Sequence, residues 1–324
     1  MPQDWRPGLR QEDCVSVELR SKTQWSEKYA AVMKDGSEYW LDRTTSMLEA
    51  GLGNGPGLMW WRSDMALVGA FEEVMAAGKT LDAPLPLAQP LIKKVEEWAK
   101  TQLGDAALQN SPFALACTKF DLINMMHRSR MRYKQVSDKA CALGSRAHFL
   151  CELWLKNKGN LDYDMGTGEV LEYDIDTEEV EVQRSFSAFC KWFEQAGLVH
   201  ETSEIMVYDI DIGVAGRYDH GLRRESDGGR HMVDLKTSKG FYPSMLLQVP
   251  GYVGMAAKCG LGLFATADII RIDKTTAEFS VMPVFTNGDE FRRLYAQFRD
   301  VVRTARFMQW AESYTGKFNR KAKS

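Results

Sequence analysis

The chain has 324 residues, 44% hydrophobic and 26% charged content and a net charge of −3, the balance of an ordinary globular protein long enough to bury a large core. No apolar run approaches the roughly 20 residues that span a bilayer, and the start Met1-Pro2-Gln3-Asp4-Trp5-Arg6 lacks a secretory pattern. A charge this close to neutral leaves no overall field for a polyanion, so any contact with nucleic acid has to come from a local basic cluster.

In chain order, Lys28 to Leu41 reads as a hairpin about Lys34-Asp35-Gly36, and Thr44 or Thr45 caps a short helix. Helical patterns follow over Gly57 to Gly78 and Leu91 to Leu103, separated by the proline-rich stretch from Leu81 to Pro90. Trp60 and Trp61 are packing residues or base-stacking platforms. Ser111 to Tyr133, with Ser111 as N-cap and Pro112 in the first turn, and Val136 to Lys156 are two further helices. Ser185 to Gly197 is amphipathic, with Phe186, Phe189, Trp192 and Phe193 inward. Met206 to Leu222 is strand-like, and a turn signal Ser226-Asp227-Gly228-Gly229 leads into a second strand from His231. Pro243 and Ser244 open a helix carrying Gln248; strands over Leu263 to Asp273 and Ala277 to Phe285 precede a last helix, Asp289 to Trp310. Lys317 to Lys323 reads as a flexible basic tail.

The hairpin around the Ser226 turn carries the chemistry. Asp234 and Lys236 stand two apart and share a strand face, and Asp219, in Gly216-Arg217-Tyr218-Asp219, approaches from the neighbouring strand. A hard Mg²⁺ or Mn²⁺ ion takes such carboxylates with water and phosphate oxygens, the carbonyl of Leu235 being a third protein oxygen, and Lys236 adds a cation beside the phosphate. An acidic-x-Lys triplet alone arises by chance about twice in a chain this long. Two further spacings add weight. Gly144, His148 and Glu152 fall on one helical stripe, and Gln248 and Tyr252 repeat the four-residue step after the lysine strand, with Pro250 between them removing one helical hydrogen bond.

From Val136 to Met282 this order, Gly-x3-His-x3-Glu, Gly-x2-Asp, Asp-x-Lys and Gln-x3-Tyr, resembles the RecB-like branch of the PD-(D/E)XK nuclease superfamily, which includes phage exonucleases. The resemblance implies an α/β fold with a restriction-endonuclease-like core, a mixed central β-sheet flanked by helices, and a helical N-terminal elaboration. On it, residues 1–135 form the wall of a DNA channel, 136–310 the nuclease core and 311–324 a basic tail. It makes His148, Asp219 and Asp234 metal ligands and Lys236 catalytic, has Glu152 support the metal site, and sets Gln248 and Tyr252 near the scissile strand. The implied activity is a Mg²⁺- or Mn²⁺-dependent DNA exonuclease of recombination, repair or phage DNA metabolism; a flap or branch endonuclease and a catalytically silent DNA-end-binding partner are the alternatives.

Some relatives in that branch hold an iron-sulfur cluster, but Cys14, Cys117, Cys141, Cys151, Cys190 and Cys259 are scattered, so no cluster is expected, and free thiols fit a reducing, cytoplasmic setting in a bacterial or phage-infected cell. The basic cluster that would grip DNA is Arg128, Arg130, Arg132 and Lys134, continued by Lys139 and Arg146, with Lys239 after the lysine strand. The expected partner is DNA, linear duplex or single strand. The resemblance leaves room for a single-strand-annealing protein and a homo-oligomer, and nothing points to a membrane.

Overall fold

The computed structural model describes residues 3–23, 26–52, 119–159, 161–164 and 170–321. The chain divides into two compact units, Met1–Gly53 with Leu143–Ser324, and Asn54–Ala142. The first holds a mixed nine-stranded sheet. In chain order the strands are β1 (Gln3–Asp4), β2 (Cys14–Thr23), β3 (Ser26–Met33), β4 (Glu38–Arg43), β5 (Asp162–Asp164), β6 (Val170–Glu172), β7 (Leu198–Asp209), β8 (Val214–Arg224), β9 (Arg230–Lys236), β10 (Thr266–Asp273) and β11 (Glu278–Phe285). The helices are α1 (Thr44–Leu52), α2 (Lys119–Lys156), α3 (Val180–Gln195), α4 (Met245–Lys258) and α5 (Gly288–Lys321).

The main path through the sheet is β11-β10-β9-β8-β4-β3-β2, with β1 beside β4 and β7 beside β8, while β5 and β6 pair separately. Hairpin neighbours are antiparallel, whereas β9–β10 and β4–β8 are parallel. A parallel pair needs a crossover, and α4 supplies it between β9 and β10. Successive residues of β9 and β10 alternate faces, yet both sets are apolar because helices cover both faces. Met232 and Ile269 join Met47, Val253 and Phe298 in one buried cluster. Val233, Leu235, Ile270 and Ile272 join Cys151, Leu155, Phe189 and Trp192 in another.

Several expectations need correction. The Met206 to Leu222 stretch is not one strand: β7 ends at Asp209 and β8 starts at Val214. Asp209 Oδ1 accepts from the Asp211 amide at 3.0 Å, and Gly213 takes a left-handed φ of 70°. Ile210 and Ile212 hide that turn from a reading by hydrophobicity. No break separates the two helices expected around Lys134: α2 runs through Lys134 and Gln135, both good helix formers. The basic tail is not separate from the last helix, since α5 continues to Lys321. The amphipathic helix begins five residues earlier than expected, at Val180. Strand β2, absent from the sequence reading, pairs with β3, and β4 joins β8, so the N-terminal strands continue the sheet that holds β8 and β9. The expected helices over Gly57 to Gly78 and Leu91 to Leu103, the Ser111 cap and Trp60 and Trp61 lie outside the described residues. Among the described residues no helix is long and apolar enough to cross a membrane.

Candidate metal centre

The centre forms where two strands part. β8 and β9 pair from Arg223↔Arg230 to His220↔Val233 and then separate. The next β9 amide that would reach across, that of Leu235, donates instead to Asp219 Oδ2 at 2.6 Å. A backbone donor freed from the ladder thus fixes a carboxylate in the split. Two residues along the same face as the β9 residue Asp234, Lys236 places Nζ 2.6 Å from Asp234 Oδ2. The separation is that of an ion pair, but the angle is not that of a hydrogen bond: neither Asp234 oxygen has an aligned partner, although the residue is 2% exposed. A buried carboxylate with no hydrogen bond calls for a further positive or donor group.

Helix α2 delivers the histidine. A Cβ at Gly144 would meet Thr237 Oγ1 at 3.0 Å, so glycine lets the helix close on the end of β9. One turn on, His148 Nδ1 lies 3.5 Å from Asp219 Oδ2 and 4.0 Å from Glu204 Oε1. His148, Glu204 and Asp219 each present one ligand atom, all within 4.8 Å of one another. Glu204 is the residue that sequence reasoning missed. On β7 it sits between Ser203, paired with His220, and Ile205, paired with Tyr218, which sets it opposite Asp219. Its φ is 56°, a conformation costly for a non-glycine residue. Ser203 holds that stretch: its Oγ is 2.8 Å from His200 Nε2 and 2.9 Å from His220 Nδ1.

Electrostatics follow from crowding charges in a largely buried place. Burial pushes Glu204 up to about 7, with the facing Asp219 charge adding to it. Burial alone would lower His148, but the Asp219 carboxylate outweighs it and raises it. Asp219 resists the upward pull of burial because His148 is beside it, and it stays well below the usual carboxylate range. Asp234 is raised by burial against the opposing pull of Lys236. Burial would lower Lys236, and the two aspartates overcome it, so the ammonium is retained. His220 is driven by burial to about 3 and stays neutral, against the Phe189 ring at 5.4 Å.

The other expected residues divide. Gln248 Nε2 donates to Tyr252 Oη at 2.8 Å across Pro250, within an unbroken α4, and both side chains are buried. Gly216 makes room for that tyrosine, since a Cβ there would sit 2.5 Å from Tyr252 Cε1. Glu152 pairs with Lys156, outside the three-residue cluster. At Leu235 the backbone group engaged in the centre is the amide, bonded to Asp219. Arg146 is bound to Glu178 and Tyr173, so this part of the basic cluster neutralises a local acid. Lys139 and Lys239 are exposed; Arg128, Arg130, Arg132 and Lys134 lie on α2, their side chains outside the described residues.

The donor set suits a hard divalent cation: carboxylate oxygens from Glu204 and Asp219, a histidine nitrogen, and the unsatisfied Asp234 carboxylate beside them. No family model matches the chain, and no curated protein matches it. Among solved structures, one described as "Crystal structure of SSO0001" is 14% identical and covers 41% of this chain and 67% of its own, with a TM-score of 0.26. A likeness that slight bears on neither fold nor function.

Proposed function

We propose that the protein is a Mg²⁺- or Mn²⁺-dependent deoxyribonuclease with a PD-(D/E)XK core, acting as an exonuclease on DNA ends. The observation that carries this reading is the convergence of His148, Glu204 and Asp219 at the parting of β8 and β9, next to an Asp234 carboxylate without a hydrogen bond and a Lys236 ammonium. His148, Glu204, Asp219 and Asp234 would hold the ion. When bound, a divalent cation supplies Lewis acidity toward the phosphate and acidifies water. The chain's own residues do the rest. The Leu235 amide locks Asp219 in one rotamer. Lys236, kept protonated by the aspartates, offers its charge to a non-bridging phosphate oxygen as negative charge grows there, so its role is electrostatic and not that of a base. The choice of DNA as substrate and of attack from an end rests on the resemblance in motif order.

The test compares a labelled linear duplex with a covalently closed circle, with Mg²⁺, with Mn²⁺ and in excess EDTA. Degradation of the linear form alone, abolished by chelation, is expected. Rapid nicking of the circle turns the reading toward an endonuclease, and full activity in EDTA removes the metal assignment altogether.

A further inference from the structure

At the opposite end of β9 from Lys236 lies a second cluster of reactive side chains. His231, the second residue of β9, pairs in register with Thr266, the first residue of β10. Asp268 stands two residues further along β10, on the same face. His231 Nδ1 is 2.7 Å from Thr266 Oγ1, and His231 Nε2 is 3.4 Å from Asp268 Oδ2. Arg224 Nη1 donates to the same Thr266 Oγ1 at 3.4 Å. The order along the chain of contacts is guanidinium, hydroxyl, imidazole, carboxylate.

The protons can be placed. In a neutral ring, a proton on Nδ1 would leave the Nε2 lone pair facing a carboxylate, which is repulsive. With the proton on Nε2, that N–H lies on the side of the Asp268 carboxylate, 3.4 Å away and short of hydrogen-bond alignment, and Nδ1 accepts the Thr266 hydroxyl proton. The arrangement gives the hydroxyl a base and the base an orienting acid, the relationship that activates nucleophilic serines and threonines. Arg224 is held in a different way. Asp227 takes its Nε and Nη2 at 3.0 and 2.8 Å, which leaves Nη1 beside the hydroxyl. Gly229 makes room for that guanidinium, since a Cβ there would lie 2.5 Å from Arg224 Nη2.

All four residues line one open cavity of about 430 Å³. Its remaining wall includes Trp192, Leu198 and Pro283, apolar surface suited to a short acyl chain or an aromatic leaving group. His231 is only 6% exposed, so the base is shielded, while Thr266 beside it is half-buried at the cavity wall.

We propose that Thr266, His231, Asp268 and Arg224 form a second, metal-independent site that hydrolyses small carboxylic esters through an acyl-threonine. Thr266 Oγ1 attacks the ester carbonyl carbon as its proton passes to His231 Nδ1, and the oxyanion forms against Arg224 Nη1. Collapse breaks the bond to the alkoxy oxygen, which leaves as an alcohol with the proton from His231. Water, deprotonated by His231, then attacks the acyl-threonine, releasing a carboxylic acid and restoring the hydroxyl. The proposal is independent of the nuclease reading because no residue is shared between the two sites.

The test uses the full chain in excess EDTA with p-nitrophenyl acetate. The wild type should release p-nitrophenolate, and mass spectrometry of the quenched protein should place an acetyl group on the peptide carrying Thr266. Thr266→Val keeps the β-branched shape and removes only the hydroxyl, and it should lower the rate on the order of a hundredfold with an unchanged melting temperature. Thr266→Ser should retain activity, and His231→Gln should lose it. A Thr266→Val protein as active as wild type, acetyl groups on lysines alone, or no release above the rate of free imidazole would overturn the proposal. None of these results touches the metal-dependent reading, which chelation has already silenced.

Discussion

Two buried aspartates sit in the same sheet under opposite conditions. Asp209, at the end of β7, is 0% exposed and fully provided for: Lys258 Nζ lies 2.7 Å away, the Asp211 amide donates at 3.0 Å and Tyr295 Oη at 3.3 Å. Asp234 is 2% exposed, and neither of its oxygens accepts an aligned hydrogen bond, although Lys236 is 2.6 Å off. Burial is equal, so it does not separate the two roles; satisfaction does. A carboxylate that the fold has completed holds elements together, here the β7–β8 turn, α4 and α5. One that the fold leaves incomplete carries a burial cost that nothing in the chain fully offsets, which is why the proposed ion is assigned beside it.

The largest effect expected from this contrast is on turnover. Lys236→Ala or Asp234→Asn should cut nuclease turnover by about a thousandfold, roughly 4 kcal/mol of transition-state stabilisation. In the metal-free protein Asp234→Asn should shift the melting temperature little, because the charge it removes has no hydrogen bond and Asp219 still faces the Lys236 ammonium. Turnover within tenfold of wild type, read on the same labelled duplex, would return Asp234 to the structural class.

The mirror experiment is on the other aspartate. Lys258→Met keeps the apolar stem and deletes the cation from Asp209, and breaking a buried pair from one side costs about 3 kcal/mol. Urea unfolding should show that loss, with turnover changed little. If Lys258→Met and Asp234→Asn shift stability equally, satisfaction does not distinguish the two sites.

What the sequence reveals divides along the same line. Asp234, Lys236 and the Gly228-Gly229 turn are legible because their relations span a few residues and follow from strand alternation. So is the His148 stripe, a matter of helical spacing. Glu204 is not legible, because its place opposite Asp219 depends on the register of β7 with β8 and on a left-handed backbone at Glu204 itself. The Arg146 ion pair is not legible for a similar reason: its partner Glu178 is 32 residues away and reaches it only in the fold. The Met206 to Leu222 stretch shows the limit of hydrophobicity as a guide, since the Asp209 turn is built from a side-chain to backbone bond among isoleucines. In the fold, local pattern carries most of the helices and the hairpin strands. The sheet order, which unites β4 with β8, is non-local.

The smallest effect is also the one that tests the incompleteness of the site most directly, through pH. Glu204 has an ordinary value of 4.5 and a folded value raised to about 7, first by burial and then by Asp219. The metal-free fold therefore binds more protons than the unfolded chain across that interval. The stability Glu204 contributes is full below about pH 4.5 and is lost as pH rises through about 7. His148, raised from 6.5 by Asp219 in spite of burial, and Asp234, raised from 3.8 by burial, act in the same direction. Asp219 is lowered from 3.8, so its opposite contribution falls at more acid pH, outside this window. In EDTA, unfolding free energy should fall between these limits, with about 2 kcal/mol of the fall assigned to Glu204 after allowance for its partial exposure. Glu204→Gln should flatten the curve by that amount, because the amide stands permanently for the protonated acid. Saturating Mg²⁺ should restore stability chiefly at the upper end, where the ligands have given up their protons and a cation can take their place. Identical pH curves for wild type and Glu204→Gln in EDTA would show that Glu204 is satisfied within the fold and belongs with Asp209.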